Sequence, residues 1–421
     1  MLIFISDLHF IDGTAGDKHN VPIGAFHIFL EDVAALYKRR NATELKIIFL
    51  GDIFDLLRTE LWFNYPMDCR PWGTNEVEIE KNAKTILEAI IEKNKDALNL
   101  LCCNVKDIYP DFPVEPEKIY IPGNHDRLCN KYESLRKIVC DTLGLKHDPK
   151  IPFDQQFEDL NYEVFARHGH EFDKYSYSGT DCYEFEDYMK IAIGDPITTE
   201  LVAKLPYTVM KSPEIACLSP KEKDALKRNL QDIENVRPFS ATLDWLFYQV
   251  HDEGPTKKAV KESIKKVVKE FGEIPYVKLW SKKNKVDPIT IGLFFLKRLD
   301  LSTYEHTMPI ISKLKKFFDK DTLLEAVPKE YDYLGKCFKY IIHGHTHDPI
   351  HVPVRIVRDV TGLKENIYLN TGTWRVKYSR TMEDNGFTKC KNITYVFLYN
   401  SKEHNPNEDF PTYESWTGTM E

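Results

Sequence analysis

"IIHGHTHDP", residues 341–349, sets histidines at 343, 345 and 347 where an apolar run gives way to glycine and proline. Side chains two apart share one face of an extended segment, so three imidazoles could converge if the backbone stays extended. Gly344 permits a sharp turn that would separate them. One reading is a polar loop rich in histidine. The other is a metal site, because neutral imidazole is a common transition-metal ligand. The choice depends on the rest of the chain, which must supply carboxylates and further ligands at other strand ends.

It supplies several. "LIFI" (2–5) ends in Ser6-Asp7, "KIIFL" (46–50) in Gly51-Asp52, and "KIYI" (118–121) in Pro122-Gly123-Asn124. "YEVFA" (162–166) runs into Arg167 and His168, and "YII" (340–342) enters the opening stretch. Each run is short, rich in β-branched or aromatic residues and stopped by glycine or a polar residue, which predicts strands. Residues 23–40 and 77–101 carry apolar residues at helical spacing between them. Strands alternating with helices predict an α/β sheet, and open α/β sheets bind ligands at strand ends. "NIYLNTGTW" (366–374) and "ITYVFLYN" (393–400) predict two closing strands of a second sheet. The polar tail after about residue 402, with two prolines, reads as loosely ordered.

From 195 to 335 strand signals fade and helical patterns dominate. In "KKAVKESIKKVVKEF" (257–271), Val260, Ile264, Val267, Val268 and Phe271 share one face and lysines the other. Residues 255–320 carry 16 Lys and Arg against 7 Asp and Glu, a surplus of 9 positive charges in a chain of net charge −8. We therefore divide the chain into a core, 1–194 and 336–421, and a basic helical insertion, 195–335. The lysine stripe is either a solvated face or a cap that attracts an anion. "ITIGLFFLKRL" (289–299) reads as core of the insertion, being shorter than the ~20 residues that span a bilayer.

The acidic balance argues against a chain that coats nucleic acid over its whole surface. Nine cysteines without CxxC pairing predict neither a disulfide framework nor a zinc ribbon, and Cys102-Cys103 reads as buried small apolar residues. Asp7 interrupts the first apolar run, so no signal peptide is expected, and no transmembrane segment is found. The expectation is a cytoplasmic protein, with oligomeric state undetermined.

Five stretches now stand in order: Asp7-Leu8-His9, Gly51-Asp52-Ile53-Phe54-Asp55, Gly123-Asn124-His125-Asp126, His168-Gly169-His170 and Gly344-His345-Thr346-His347. The set resembles the calcineurin-like metallophosphoesterase superfamily, with its DxH, GDxxD, GNHD or GNHE, strand-end histidine and GHxH. The resemblance covers roughly 1–190 and 336–400 and leaves the insertion unassigned. It implies a four-layer α/β/β/α sandwich of two mixed sheets.

Phosphate ester cleavage must neutralise a charged group and generate a nucleophile near pH 7. Two divalent metals ~4 Å apart do both, and a mix of imidazole and oxygen ligands suits manganese, iron or zinc better than calcium. The resemblance implies two divalent ions, manganese foremost, with iron, zinc, nickel or magnesium as other choices. Asp7, His9 and His347 would hold the first, Asn124, His168 and His345 the second, and Asp52 would bridge them. A hydroxide between the metals would attack phosphorus. His125 would contact a phosphate oxygen and protonate or stabilise the leaving oxygen, and Asp55 would orient His125. His170 rivals His168, which is preferred because it directly follows the strand. His343 and His170 stand as supporting or substrate-facing residues, with ordinary core histidines the alternative. Arg127 and Arg375 are either phosphate contacts or structural arginines. His19, His27 and His147 read as ordinary histidines, and the acidic residues of "FEDYMK" as a solvated face.

Ser/Thr protein phosphatases follow the second motif with Arg-Gly, which this chain lacks. The HG tract and "HGHTHDP" look more like the branch containing UDP-2,3-diacylglucosamine pyrophosphohydrolases. That group usually has arginine where this chain has His125, and a much smaller helical cap. The substrate class therefore stays open among small, lipid-linked and nucleotide phosphate or pyrophosphate esters. The alternatives are a nuclease or cyclic-nucleotide phosphodiesterase, its basic insertion guiding a polyanion, and a non-catalytic scaffold; the aromatics among the insertion's lysines, Tyr276, Trp280, Phe294 and Phe295, fit helical cores equally well.

Overall fold

The computed structural model describes residues 1–16, 21–102, 105–237, 241–249, 254–285, 322–335, 338–359, 362–383, 386–403 and 410–419. They form an α/β protein with two mixed sheets. β1 (Leu2–Ile5), β2 (Lys46–Leu50) and β3 (Glu117–Ile121) run parallel on one side of the first sheet. β11 (Phe387–Tyr399) lies antiparallel to β1 and carries β12 (Thr412–Thr419) and β10 (Val376–Arg380). The second sheet has the order β4 (Gln156–Asp159), β5 (Val164–Arg167), β7 (Tyr340–His343), β9 (Gly362–Thr371), β8 (Pro349–Asp359).

Alternation along the strands builds the layers. Leu2, Phe4, Ile48 and Leu50 meet Val164, Ala166, Ile342 and Leu369 between the sheets. Their neighbours Ile3, Ile5, Ile47 and Phe49 point the other way, onto Phe26, Phe29, Ile86 and Ile90 of two helices, Ile23–Arg39 and Glu76–Cys102. On the far face of the second sheet, Phe165, Ile341 and Tyr368 pack on Leu323, Val327 and Tyr331 of helix Thr322–Leu334. β1 is buried on both faces, so its sequence is continuously apolar. Its four side chains together contribute on the order of 6–12 kcal/mol of burial.

The helix Ile23–Arg39 buries Ala25, Phe26, Phe29, Leu30 and Val33 on one stripe and ends with Lys38 and Arg39, cations that suit the negative end of the helix dipole. The helix Glu76–Cys102 breaks at Asn94 (φ −115°, ψ 15°). There the Asn94 amide donates to the carbonyls of Ile90 (2.7 Å) and Ile11 (2.8 Å), so a side chain competes for the helix's own acceptor.

Several expectations are corrected. The runs at 366–374 and 393–400 close different sheets: β9 joins the second, while β11 pairs with β1 in the first. The tail is not loose over 412–419. There β12 pairs with β11 from Tyr399↔Thr412 to Asn392↔Thr419, and Trp416 stacks on Tyr395 at 4.8 Å. Its polar composition suits a strand with its own outer face in solvent. β8 carries Pro349 and Pro353, which a sheet edge tolerates because no neighbour needs their missing N–H.

Within the 195–335 stretch, helix Pro255–Phe271 buries Val260, Ile264, Val267, Val268 and Phe271, and Tyr276 and Trp280 pack against the same cluster. The stretch is also built into the layers. β6 (Val236–Arg237) pairs parallel with β10, and helix Thr322–Leu334 covers the second sheet. The run at 289–299, with Phe294 and Phe295, the Cys102-Cys103 side chains and His19 lie outside what is described. Among the described residues no helix is long and apolar enough to cross a membrane.

Candidate metal centre

Five strands deliver the polar motifs to one place. Asp7 and His9 follow β1, Asp52 follows β2, Asn124 and His125 follow β3, His168 follows β5, and His345 and His347 follow β7. Backbone bonds stitch the first two loops together: Asp7 N–H donates to Gly51 (3.0 Å), His9 N–H to Asp52 (2.8 Å) and Asp55 N–H to Phe10 (2.9 Å).

The loops are tight enough to demand glycine. A Cβ on Gly51 would lie 2.3 Å from His168 Nδ1, one on Gly123 2.2 Å from Asp52 Oδ1, and one on Gly344 2.4 Å from Ser6 Oγ and 2.6 Å from Asp7 Oδ2. Each motif's glycine thus makes room for residues of another motif. The backbone is strained at the same points. Seven described non-glycine residues have positive φ, and five of them are Asp7, His9, Asp52, His345 and His347. Such conformations cost of order 1–3 kcal/mol each and persist where surrounding structure enforces them. The strain is thus concentrated on one set of polar side chains that the surrounding fold holds in place.

Three groups have ligand atoms within 4.8 Å of one another: Asp7, His9, His347; Asp52, His168, His345; and His9, Asp55, His125, of which the first two are triads made wholly of expected ligands. In the first, Asp7 Oδ1 lies 3.6 Å from His9 Nε2 and 3.3 Å from His347 Nε2, and the two Nε2 atoms face each other at 3.0 Å. In the second, Asp52 Oδ2 lies 3.2 Å from His168 Nε2. The same oxygen is 3.7 Å from His9 Nε2, so Asp52 stands between the triads. Asn124 lines the pocket they share. The structure therefore brings together all seven expected ligands, with His168 rather than His170 in the cluster.

Outer contacts aim the ligand atoms. Asp7 Oδ2 accepts from Ser6 Oγ and from His345 N–H (3.0 Å), which leaves Oδ1 for the centre. His168 Nδ1–H donates to the Leu50 carbonyl at 2.9 Å and presents Nε2. His345 Nε2 faces Asp173 Oδ2 at 3.2 Å, which leaves Nδ1. Asp55 serves two rings: Oδ2 lies 3.1 Å from His9 Nδ1 and Oδ1 lies 2.8 Å from His125 Nδ1. Carboxylates and carbonyls in these positions set tautomer and orientation for metal-bound imidazole.

The fit to a cation can be tested on the protein's own atoms. Asp7 Oδ1, Asn124 Oδ1 and His168 Nε2 are buried without a well-formed hydrogen bond, the near neighbours of Asp7 Oδ1 and His168 Nε2 being other groups of the centre itself. Buried polar atoms without partners are rare and costly, and here they converge with two facing imidazole nitrogens. The donor set of carboxylate, amide oxygen and imidazole suits a divalent transition metal.

Electrostatics agree. Burial pushes Asp7, Asp52 and Asp55 up, but neighbouring imidazoles, His168 for the first two and His125 for the third, hold them below the carboxylate range. Burial opposes the charge on His168, yet Asp52 overrides it and raises this ring to about 10. His125 is raised well above its ordinary value, burial again being outweighed, by Asp55 and Asp52. His347 moves the other way, through burial and the adjacent Arg237. Protons on imidazole thus compensate the carboxylates where metal would otherwise do so.

The remaining residues separate. His343 turns away: its Nε2 lies 3.0 Å from Glu330 on helix Thr322–Leu334. β7 ends at His343, and left-handed φ at His345 and His347 ends the period of two there. His170 is buried beside His168, ring centroids 5.4 Å apart, and burial lowers it to about 4. Arg127 is neither exposed nor at the pocket but buried in an ion pair with Asp195 at 2.5 Å. Asp187 of "FEDYMK" is not on a solvated face. It accepts the backbone N–H groups of Thr180 (2.6 Å) and Asp181 (2.7 Å) and closes a turn. Arg375 lines the pocket.

Sequence reasoning missed Asp173, Glu234, Asn235 and Arg237. The last three also line the pocket or its wall and come from the 195–335 stretch. Arg58 ties them down: its Nε pairs with Glu234 at 2.7 Å and its Nη2 donates to the Gln231 carbonyl at 2.6 Å. Asp173, three residues after His170, carried a local signal as a carboxylate close behind a histidine motif. The others carried none. A scan against protein-family models gave no match, and a search of curated proteins found no similar chain.

Proposed function

We propose that this protein is a dinuclear metal-dependent phosphoesterase with the metallophosphoesterase fold. The observation that carries the reading is Asp52, one carboxylate oxygen within reach of imidazole nitrogens in both triads. A single oxygen so placed suits a bridge between two cations, whose mutual repulsion requires an anion between them.

Asp7, His9 and His347 would hold one ion and Asn124, His168 and His345 the other. The bound metals supply Lewis acidity, polarising a phosphoryl group and acidifying water. The protein's own residues do the rest. Asp55 accepts the Nδ1 proton of His125 and so presents Nε2 to the pocket. The same carboxylate favours the charged ring, which makes His125 a proton donor for the leaving oxygen. Asp55 orients His9 at the same time, coupling metal binding to proton donation.

The test is hydrolysis of p-nitrophenyl phosphate and bis-p-nitrophenyl phosphate, in parallel, with manganese and with chelator. The expected result is chelator-sensitive cleavage that disappears in Asp52→Asn while the fold persists by circular dichroism. Cleavage indifferent to chelator, or full activity in Asp52→Asn, would sink the reading.

A further inference from the structure

The pocket beside the triads holds two guanidinium groups that the reading above does not use. Arg375 follows β9, is 5 % exposed and lines the pocket. Its guanidinium has no hydrogen-bond or ion-pair partner among the described residues, while its backbone N–H donates to Thr373 Oγ1 at 3.2 Å. Arg237 comes from β6, inside the 195–335 stretch. Its Nη1 is anchored on the carbonyls of Glu234 (2.7 Å) and Val236 (3.0 Å), and its Nη2 donates to His347 Nδ1 at 2.9 Å. It forms no ion pair among the described residues. Arg58, by contrast, has its charge met by Glu234 at 2.7 Å. Carboxylates stand near both, Glu234 in each case, but none pairs directly with the half-buried Arg237 or the buried Arg375, and a cation withdrawn from water without a contacting counter-charge is costly unless something else supplies one.

Metal binding sharpens the point. His347 faces the first triad through Nε2. An imidazole that gives its Nε2 lone pair to a metal carries its proton on Nδ1. That nitrogen then offers Arg237 no acceptor. The guanidinium stays anchored through Nη1, and the Nη2 edge needs a new oxygen.

We propose that Arg237 and Arg375, from two separate parts of the chain, form an anion subsite beside the metal centre that takes the terminal phosphoryl group of a phosphate monoester. This rests on the phosphoesterase reading and narrows it. A monoester carries close to two negative charges above pH ~6 and exposes three acceptor oxygens, enough for two metals and two guanidinium forks. A diester has one charge and one free oxygen fewer, so it leaves one of these cations uncompensated. The 195–335 stretch is thereby part of the site, contributing Arg237 on a strand of the first sheet.

The test has a binding arm and a rate arm, on full-length wild type, Arg375→Met, Arg237→Met and Arg237→Lys. Calorimetry measures inorganic phosphate binding to the manganese-loaded protein. Both methionine variants should bind phosphate about 10- to 100-fold more weakly, the range for losing a hydrogen bond to a charged group, and Arg237→Lys should recover part of the loss. The rate arm compares kcat/KM for p-nitrophenyl phosphate and its methyl diester. The monoester preference of wild type should fall about tenfold or more in the methionine variants. Melting separates a ligand-binding arginine from a structural one. Arg375→Met removes an unpaired buried charge, so its Tm without phosphate should equal or exceed that of wild type. Unchanged phosphate affinity, equal losses for both esters, or a lowered Tm with phosphate binding intact would each overturn the subsite. If manganese does not bind and neither ester is cleaved, the phosphoesterase reading fails. Phosphate titrated against the metal-free proteins then decides the subsite by the same comparison.

Discussion

Replacing Asp55 with asparagine changes one atom of a buried carboxylate and keeps its volume. In the native protein Oδ1 accepts three bonds, from Leu57 N (3.2 Å), Arg58 N (3.0 Å) and His125 Nδ1 (2.8 Å), while Oδ2 has one partner, His9 Nδ1 at 3.1 Å. The asparagine oxygen is therefore expected at Oδ1 and the amide nitrogen opposite His9. An amide N–H facing His9 Nδ1 forces that nitrogen to accept, which moves the ring proton to Nε2, the atom that faces Asp7 and His347. A protonated Nε2 cannot bind metal. Restoring the native tautomer sets two donors against each other in a buried site and costs about 1–3 kcal/mol. Metal affinity should fall about 10- to 100-fold, which is also the usual effect of removing a partner that orients a metal-bound imidazole. The weakened bonds to His9 and His125 should lower the stability of the metal-free protein by about 1 kcal/mol each. Manganese titration by calorimetry measures the affinity, and nitrogen chemical shifts of labelled histidine report the His9 tautomer. Native manganese affinity in a variant that keeps the His9 tautomer would refute the orienting role of Asp55.

Gly123→Ala places a methyl group 2.2 Å from Asp52 Oδ1 and 2.6 Å from the Asp52 backbone nitrogen. It should destabilise the fold by about 1–3 kcal/mol and displace the carboxylate between the triads, so a variant with native Tm and native manganese binding would contradict the packing described. In metal-free protein His168 titrates at about 10 against 6.5 in the unfolded chain. The folded state binds that proton more tightly, so its stabilisation is whole below pH ~6.5 and is lost as pH rises through about 10. The Tm gap between wild type and His168→Gln in chelator should accordingly close between pH 6.5 and 10, and a gap independent of pH would remove the basis for pairing His168 with Asp52. Manganese affinity should run in the opposite direction, rising with pH as metal displaces protons, which calorimetry in buffers of different ionisation heat measures directly.

Much of the centre was legible because its local chemistry is written in neighbouring residues. Apolar runs closed by Gly-Asp, Gly-Asn or Gly-His announce both the strand and the polar group at its end, and β1 and β2 match their runs residue for residue. The glycines had a reason that spacing alone hides: each faces residues of a different motif. His343 was illegible because the alternation at 343, 345 and 347 continues in sequence while the backbone turns at Gly344. Its partner Glu330 sits on a helix of the 195–335 stretch. Arg237 was illegible for a related reason, since nothing near it in sequence resembles a site, and only pairing of β6 with β10 brings it to His347.

The sequence alone determined which side chains are available for metal chemistry, that they stand at strand ends, and that the class is α/β. Those features follow from side-chain period, turn chemistry and burial within a few residues. The tertiary structure decided which sheet each closing strand joins, which histidine leaves the centre, and which arginines reach the pocket. Such choices rest on contacts between distant segments, as when His345 N–H meets Asp7 across 338 positions. Their free energy comes from layers closing on one another, which no local pattern encodes.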